Sequence, residues 1–294
     1  MKKIKVFIYI DSLMIGGMHK QVLYLAQFLN KKKFKVIICT QNSSKGGLSL
    51  RFKKSGCTLI DLGRDSTPQS KKGFNINVSL MLFKRLNKYK PHLILINAAP
   101  NLLYYKIAER FLKYPIILVG SFRALTFWKG HMNPIYKLLD DVFSKWLYRS
   151  SREVIVNSIA LKKHYRSIVK ENLNKPIKLI YNGIDSNLKI TKDSNFIRSS
   201  LGLKPDDIFI IMVARLDPWK DFETIFDSIS LLNEKQNIAK FFLIGDGPLR
   251  SELLKDISKK GLRNKIKLLG EKKDILNFIN ACDISVLSTH GEGF

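Results

Sequence analysis

The chain has 294 residues, of which 45% are hydrophobic and 26% charged, enough for two globular cores and too evenly mixed for a disordered or fibrous protein. Its three cysteines, Cys39, Cys57 and Cys282, form no CxxC pair, which argues against a zinc site and a disulfide framework and for a reducing, cytoplasmic setting. The net charge of +27 is unevenly held: residues 1–183 carry 34 Lys and Arg against 8 Asp and Glu, or +26, and residues 184–294 carry 17 against 16, or +1.

The opening MKKIKVFIYID imitates a secretory leader, but its apolar run stops at Asp11, too early for one. No other apolar run approaches the length of a membrane span; the longest are PIILVG (115–120) and IFIIMVA (208–214). A soluble or peripheral protein is therefore expected, with KVFIYI (5–10) its first buried strand. Further strands are predicted at KVIIC (35–39), CTLID (57–61), HLILIN (92–97), PIILVG (115–120), EVIVN (153–157) and IKLIYNG (177–183). Helices are predicted between them, including 19–30, 75–89 and 133–149. Near-continuous apolar strands alternating with helices indicate a parallel sheet covered on both faces, a doubly wound first domain over residues 1–183.

After the polar stretch DSNLKITKDSN (185–195) the pattern begins again. Strands are expected at 208–214, 241–245, 265–270 and 284–288, with helices near 220–235, at 248–260 and at 274–282. The predicted fold class is α/β, two Rossmann-like doubly wound parallel sheets facing across a cleft, the second domain spanning 184–294. Its fourth strand runs into a terminal loop, so this domain is expected to be incomplete.

Three loops carry candidate chemistry. In VARLDPWKDFETI (213–225), Arg215 leaves a strand end and Lys220 precedes a helix whose expected N-cap is Asp221, with Glu223 in its first turn. Two cations and a helix N-terminus at a strand's carboxyl end suit a diphosphate. The alternative is an Arg215 that pairs with Asp217 and a solvated lysine. In IGDGPLRSEL (244–253), Gly245 forms a turn with Asp246 near the N-cap and Pro248 early in the helix. Gly16 and Gly17 precede the first predicted helix, where they either let backbone N–H groups reach an anion or serve a loop needing positive φ. The chain closes on STHGEGF, with Glu292 between Gly291 and Gly293.

Taken in order, the early glycine pair, VNSIALKKH (156–164), IKLIYNGID (177–185), ARLDPWKD (214–221), LIGDGPLRSEL (243–253), KIKLLG (265–270) and ACDISVLSTHGEGF (281–294) resemble the family 4 glycosyltransferases of the GT-B fold across essentially the whole chain. The resemblance implies a nucleotide-sugar donor, UDP- or GDP-linked, and sugar transfer with retention at the anomeric carbon. It assigns Arg215 and Lys220 to the donor phosphates, Glu292 to the donor sugar's hydroxyls, and the glycines at 16, 17, 245, 291 and 293, with Asp246, to the donor site. It also implies a second glutamate after seven intervening residues, past Phe294, so a truncated sequence is expected. No DxD motif is present, and neither a metal nor another cofactor is expected.

Where relatives carry a histidine near the sugar, the stretch reads GSFRALTFWKGH (120–131). Arg123 is the cleft candidate there, and His131 is read as a surface or helix-start residue. The amphipathic segment 131–150, with Trp146 and Tyr148 near basic residues, either lies on lipid or packs its apolar stripe on the sheet. The expected acceptor is a saccharide, lipid-linked, in bacterial polysaccharide or lipopolysaccharide assembly. The expected location is cytoplasmic, peripheral on the inner face of an anionic membrane through the basic first domain. Competing readings are an inactive fragment of the same family and a nucleic-acid-binding protein; the latter lacks any interleaved aromatic and basic motif, so no specific nucleic-acid partner is expected.

Overall fold

The computed structural model describes residues 2–42, 47–64, 74–97, 100–123, 134–169, 175–232 and 238–290. The chain divides into two compact units between Ile184 and Asp185.

The first unit alternates strands and helices: β1 (Ile4–Ser12), α1 (Gly17–Phe28), β2 (Phe34–Asn42), α2 (Ser49–Lys54), β3 (Thr58–Asp61), α3 (Ile76–Tyr89), β4 (Leu93–Ile96), α4 (Asn101–Glu109), β5 (Ile117–Phe122), α5 (Pro134–Ser150), β6 (Glu153–Val156), α6 (Ile159–Val169) and β7 (Ile177–Leu179). Among the described residues its seven strands are parallel, in the order β3-β2-β1-β4-β5-β6-β7. Alternation splits the buried side chains between two faces. Phe7, Tyr9, Ile94 and Ile96 pack with α3 to α6, whereas Ile8, Ile10, Ile38 and Leu95 pack with α1 and α2. Burying each such side chain contributes roughly 1.5–3 kcal/mol before conformational entropy is subtracted. The strand order reverses between β1 and β4, where chain exits to opposite faces open a crevice at the carboxyl edge.

The second unit contains α7 (Ser194–Ser200), β8 (Ile208–Val213), α8 (Phe222–Ser230), β9 (Ala239–Ile244), α9 (Arg250–Lys259), β10 (Ile266–Gly270), α10 (Ile275–Ala281) and β11 (Ile284–Ser285). Among the described residues its sheet is parallel, in the order β10-β9-β8-β11. Helices α8 and α9 cover one face through Phe222, Phe226, Leu253 and Ile257; α7 and α10 cover the other through Ile197 and Phe278. Here the order reverses between β8 and β11.

Three local expectations need correction. The strand expected over 177–183 stops at Leu179, because Asn182 and Gly183 are drawn instead to side chains of β5's exit and α1. The polar stretch 185–195 is not wholly a linker: Asp193 accepts hydrogen bonds from the backbone N–H groups of Asn195 and Phe196 and starts α7. Helix α9 begins at Arg250 with Leu249 as N-cap, so Asp246 and Pro248 belong to the preceding turn. In the amphipathic segment 131–150, Leu147 and Tyr148 are in the core and Phe143 and Trp146 lie partly buried against it, whereas Leu138 and Val142 are exposed.

Candidate functional site

The carboxyl edge of the second sheet gathers two of the loops that the sequence singles out. Beyond β8, Arg215 is 47% exposed, and its Nε lies 3.7 Å from Asp217 Oδ2, so the ion-pair alternative is present as a long, half-solvated contact. Asp217 also organises the turn. Its carboxylate accepts from Trp219 N at 3.1 Å and its carbonyl from Lys220 N at 3.1 Å. Asp221 caps α8, accepting from Thr224 N at 3.1 Å and from the Thr224 hydroxyl at 2.6 Å. Those bonds, with a smaller pull from His290, hold its carboxyl below the ordinary range.

The loop after β11 is stitched to this turn. Thr289 forms an antiparallel bridge with Lys220. Asp221 N donates to Ser288 O at 3.2 Å, His290 N to Trp219 O at 3.0 Å, and the Thr289 hydroxyl to Trp219 O at 2.8 Å. The two-residue strand β11 is itself anchored by Asp283, whose carboxylate accepts from Phe209 N at 2.6 Å and from Arg198 at 2.9 Å. The backbone thus reaches His290 beside Lys220, at the reversal between β8 and β11. Gly291, Glu292 and Gly293 lie outside the described residues, as does His131.

The turn after β9 meets the same edge for a different reason. Gly245 has φ +144°, and a Cβ there would stand 1.9 Å from Ala214 O; at Gly247 it would stand 2.3 Å from Leu216 O. Leu216 N donates to Asp246 O at 3.1 Å and Leu249 N to Leu216 O at 3.1 Å. These glycines are needed for two backbones to cross. Asp246 is exposed at the crossing, its carboxylate accepting from Gly247 N at 2.7 Å.

In the first unit, Gly16 is extended at φ −171° and α1 starts at Gly17 with no side-chain cap. Neither Gly16 nor Gly17 has a positive φ, so the positive-φ loop is not observed, and a Cβ at Gly17 would meet nothing within 4 Å. Nearby, His19 Nε2 stands 3.4 Å from Asp11 Oδ1. Arg123 is held by Ser121 Oγ at 3.1 Å and Asn182 Oδ1 at 2.8 Å, and burial pushes its pKa down.

Sequence reading misses several polar groups here. Gln21 clamps Gly183 in both directions, donating to its carbonyl at 2.7 Å and accepting from its N–H at 2.9 Å. Asn97 follows β4 at the β1/β4 reversal, 1% exposed, and among the described residues neither of its amide atoms has a partner; nor, after β6, has the carbonyl oxygen of Asn157. Pairing of Ile96 with Gly120 sets Asn97 alongside Ser121. The only sequence signal was a polar residue ending an apolar strand. Among the described residues no group of three His, Cys, Asp or Glu side chains is placed to hold a metal ion.

Comparison with known proteins agrees with this architecture. Residues 193–294 match the model of the glycosyl transferases group 1, and residues 15–188 match that of Glycosyltransferase Family 4. An uncharacterized glycosyltransferase of Methanocaldococcus jannaschii is 34% identical over 125 residues, 41% of this chain and 31% of its own length. The Escherichia coli UDP-Gal:alpha-D-GlcNAc-diphosphoundecaprenol alpha-1,3-galactosyltransferase is 25% identical over 224 residues, 73% of this chain and 56% of its own. The chain thus spans only about a third to a little over half the length of these curated relatives. The crystal structure of Anabaena HepE in complex with UDP and glucose superposes with a TM-score of 0.78 at 21% identity, covering 99% of this chain and 76% of that one. The two α/β units have the GT-B arrangement of elements, and with the family 4 match running over more than half of its residues, the chain belongs to Glycosyltransferase Family 4.

Proposed function

We propose that the protein transfers a hexose or N-acetylhexosamine from a nucleotide sugar to a saccharide acceptor, with retention, and that the second unit grips the donor's diphosphate. One observation carries the reading: the backbone bridge between Lys220 and Thr289 gathers the Arg215–Lys220 turn and the chain leading to Glu292 at the β8/β11 reversal. Open α/β sheets bind ligands at such reversals, outside the strands' carboxyl ends. The HepE structures with UDP and with UDP-glucose support a nucleotide-sugar donor. The name of the E. coli relative supports a lipid-linked acceptor.

As the glycosidic bond to the donor phosphate breaks, negative charge grows on the leaving diphosphate while the sugar gains oxocarbenium character. Arg215 and Lys220 stabilise that charge, and Glu292 is assigned to the sugar's hydroxyls. Loss of one preorganised donor of this kind typically costs about 3–4 kcal/mol. Arg215→Ala is therefore expected to lower kcat about two to three orders of magnitude, and to weaken UDP or GDP binding measured by calorimetry. Undiminished nucleotide affinity in Arg215→Ala and Lys220→Ala would overturn the assignment.

A further inference from the structure

Strands β4, β5, β6 and β7 are neighbours in the first sheet, and each gives way at its carboxyl end to a polar side chain: Asn97, Arg123, Asn157 and, just past β7, Asn182. Pairing of Ile96 with Gly120 and of Phe122 with Val156 brings Asn97 alongside Ser121 and Asn157 alongside Arg123. Leu95, Val119 and Ile155 share one face of this sheet, and alternation carries Asn97, Ser121 and Asn157 onto the same side. The guanidinium of Arg123 joins them, its Nε donating to Ser121 Oγ and its Nη1 to Asn182 Oδ1.

This cluster contains a cation and no counter-charge. Among the described residues Arg123 has no carboxylate partner, its Nη2 has no acceptor, and burial alone pushes its pKa down. On the same edge Asn97, 1% exposed, has both amide atoms unpaired among the described residues, and Asn157, 3% exposed, its carbonyl oxygen. Buried polar side chains are nearly always satisfied within a fold, and a cation withdrawn from water without an opposite charge is costlier still. An edge that served packing alone has no reason to collect an unneutralised guanidinium and two orphan amides. We propose that this edge selects an acidic saccharide acceptor, Arg123 taking the carboxylate of its sugar and Asn97 and Asn157 the neighbouring hydroxyls. A planar guanidinium matches a carboxylate through parallel N–H donors, and an amide both donates to and accepts from hydroxyls. One guanidinium among neutral amides balances the single charge of a carboxylate, whereas a phosphate monoester carries about 1.5 to 2. The inference rests on sugar transfer as the reaction; the donor's diphosphate is assigned to the second unit, so the acid is given to the acceptor.

Ligand-observed NMR titrations of the full chain, with and without UDP, test this. Methyl β-D-glucuronide is expected to bind about tenfold to a hundredfold more tightly than methyl β-D-glucoside, with UDP present or absent. Arg123→Gln should bring that ratio to about one while leaving UDP affinity unchanged, Arg123→Lys should restore part of it, and Asn97→Ala should weaken both glycosides alike. Because Arg123 pairs with no carboxylate, melting of Arg123→Gln should be unchanged or raised, and the wild-type ratio needs no variant. Equal affinities in the wild type would overturn the proposal. A preference that survived Arg123→Gln would do the same, by assigning it to the chain's net charge of +27. So would displacement of the glucuronide by UDP, tighter Arg123-dependent binding of glucose 6-phosphate, or an Arg123-dependent preference for UDP-glucuronate over UDP-glucose, which would give the acid to the donor. Failure of UDP to bind at all would strike the transfer reading and leave the glucuronide ratio as a separate result.

Discussion

Two glycine positions that look alike as letters do different work. Gly245 sits at φ +144° against Ala214 O, with 1.9 Å where a Cβ would go. Gly245→Ala should therefore displace the Arg215 loop and cost about 2–4 kcal/mol in urea denaturation. Gly17 opens a helix with empty space around it. Gly17→Ala should leave stability equal or raise it by about 0.5–1 kcal/mol, so any accompanying loss of nucleotide affinity reads as obstruction of a ligand's approach to α1. Sequence alone cannot separate these cases, because the atom that collides with Gly245 belongs to another strand's exit. Asn97 is a parallel case. Among the described residues its buried amide has no partner, and such an orphan costs about 1–3 kcal/mol. Asn97→Leu should raise the unfolding midpoint while lowering kcat/KM, if the amide serves a saccharide hydroxyl; gain in both would assign it no role in transfer.

Elements whose determinants are local were legible. The apolar runs at 5–10, 35–39 and 208–214 form β1, β2 and β8, and Asp221 caps α8 as its spacing to Thr224 requires. Elements decided by distant partners were not. Gln21 takes Gly183 from 162 positions away, ending β7 early, and nothing in the local pattern announces it. Helix α5 shows the same limit. Its Trp146 and Tyr148 could face lipid or core, and the choice is made by β5, β6 and a lysine, since Lys175 Nζ hydrogen-bonds the Tyr148 and Ser151 carbonyls and sits 4.6 Å from the Tyr148 ring. Locally written caps give a pH-dependent prediction. Asp221 is held below its ordinary pKa by Thr224, and Asp283 by Phe209 N and Arg198. Their contribution is complete above the ordinary carboxylate value and disappears as pH falls through the lowered one. Stability measured from pH 6 downward should hold until about pH 4 and then drop. Asp221→Ala should cost about 1 kcal/mol near neutrality and flatten that drop; an unchanged acid limb would assign it to other carboxylates.

At the scale of the whole chain, basic charge and candidate donor chemistry are segregated: +26 lies before residue 184, while Arg215, Lys220 and the approach to Glu292 follow it. The charge split and the doubling of the αβ pattern could be read from composition and periodicity, whereas the stitching of two loops 70 positions apart, Thr289 to Trp219, could not. That stitching supplies its own reporter. Trp219 is the sole tryptophan after residue 184 and lies between Arg215 and Lys220. Trp128→Phe with Trp146→Phe leaves it alone to fluoresce, and the second change keeps an aromatic ring against the core at a cost of about 1 kcal/mol. Nucleotide at a hundred times its Kd stabilises the unit that binds it by about 2.7 kcal/mol, roughly 10 °C or more for a unit of this size. UDP or GDP should therefore shift Trp219 emission saturably and raise the Trp219-detected melting temperature, and Lys220→Ala should remove both effects. If nucleotide raised melting detected through Trp146 in a Trp219→Phe chain yet left Trp219 emission unmoved in its own, the donor would belong to the first unit, and the assignment of Arg215 and Lys220 would fall with it.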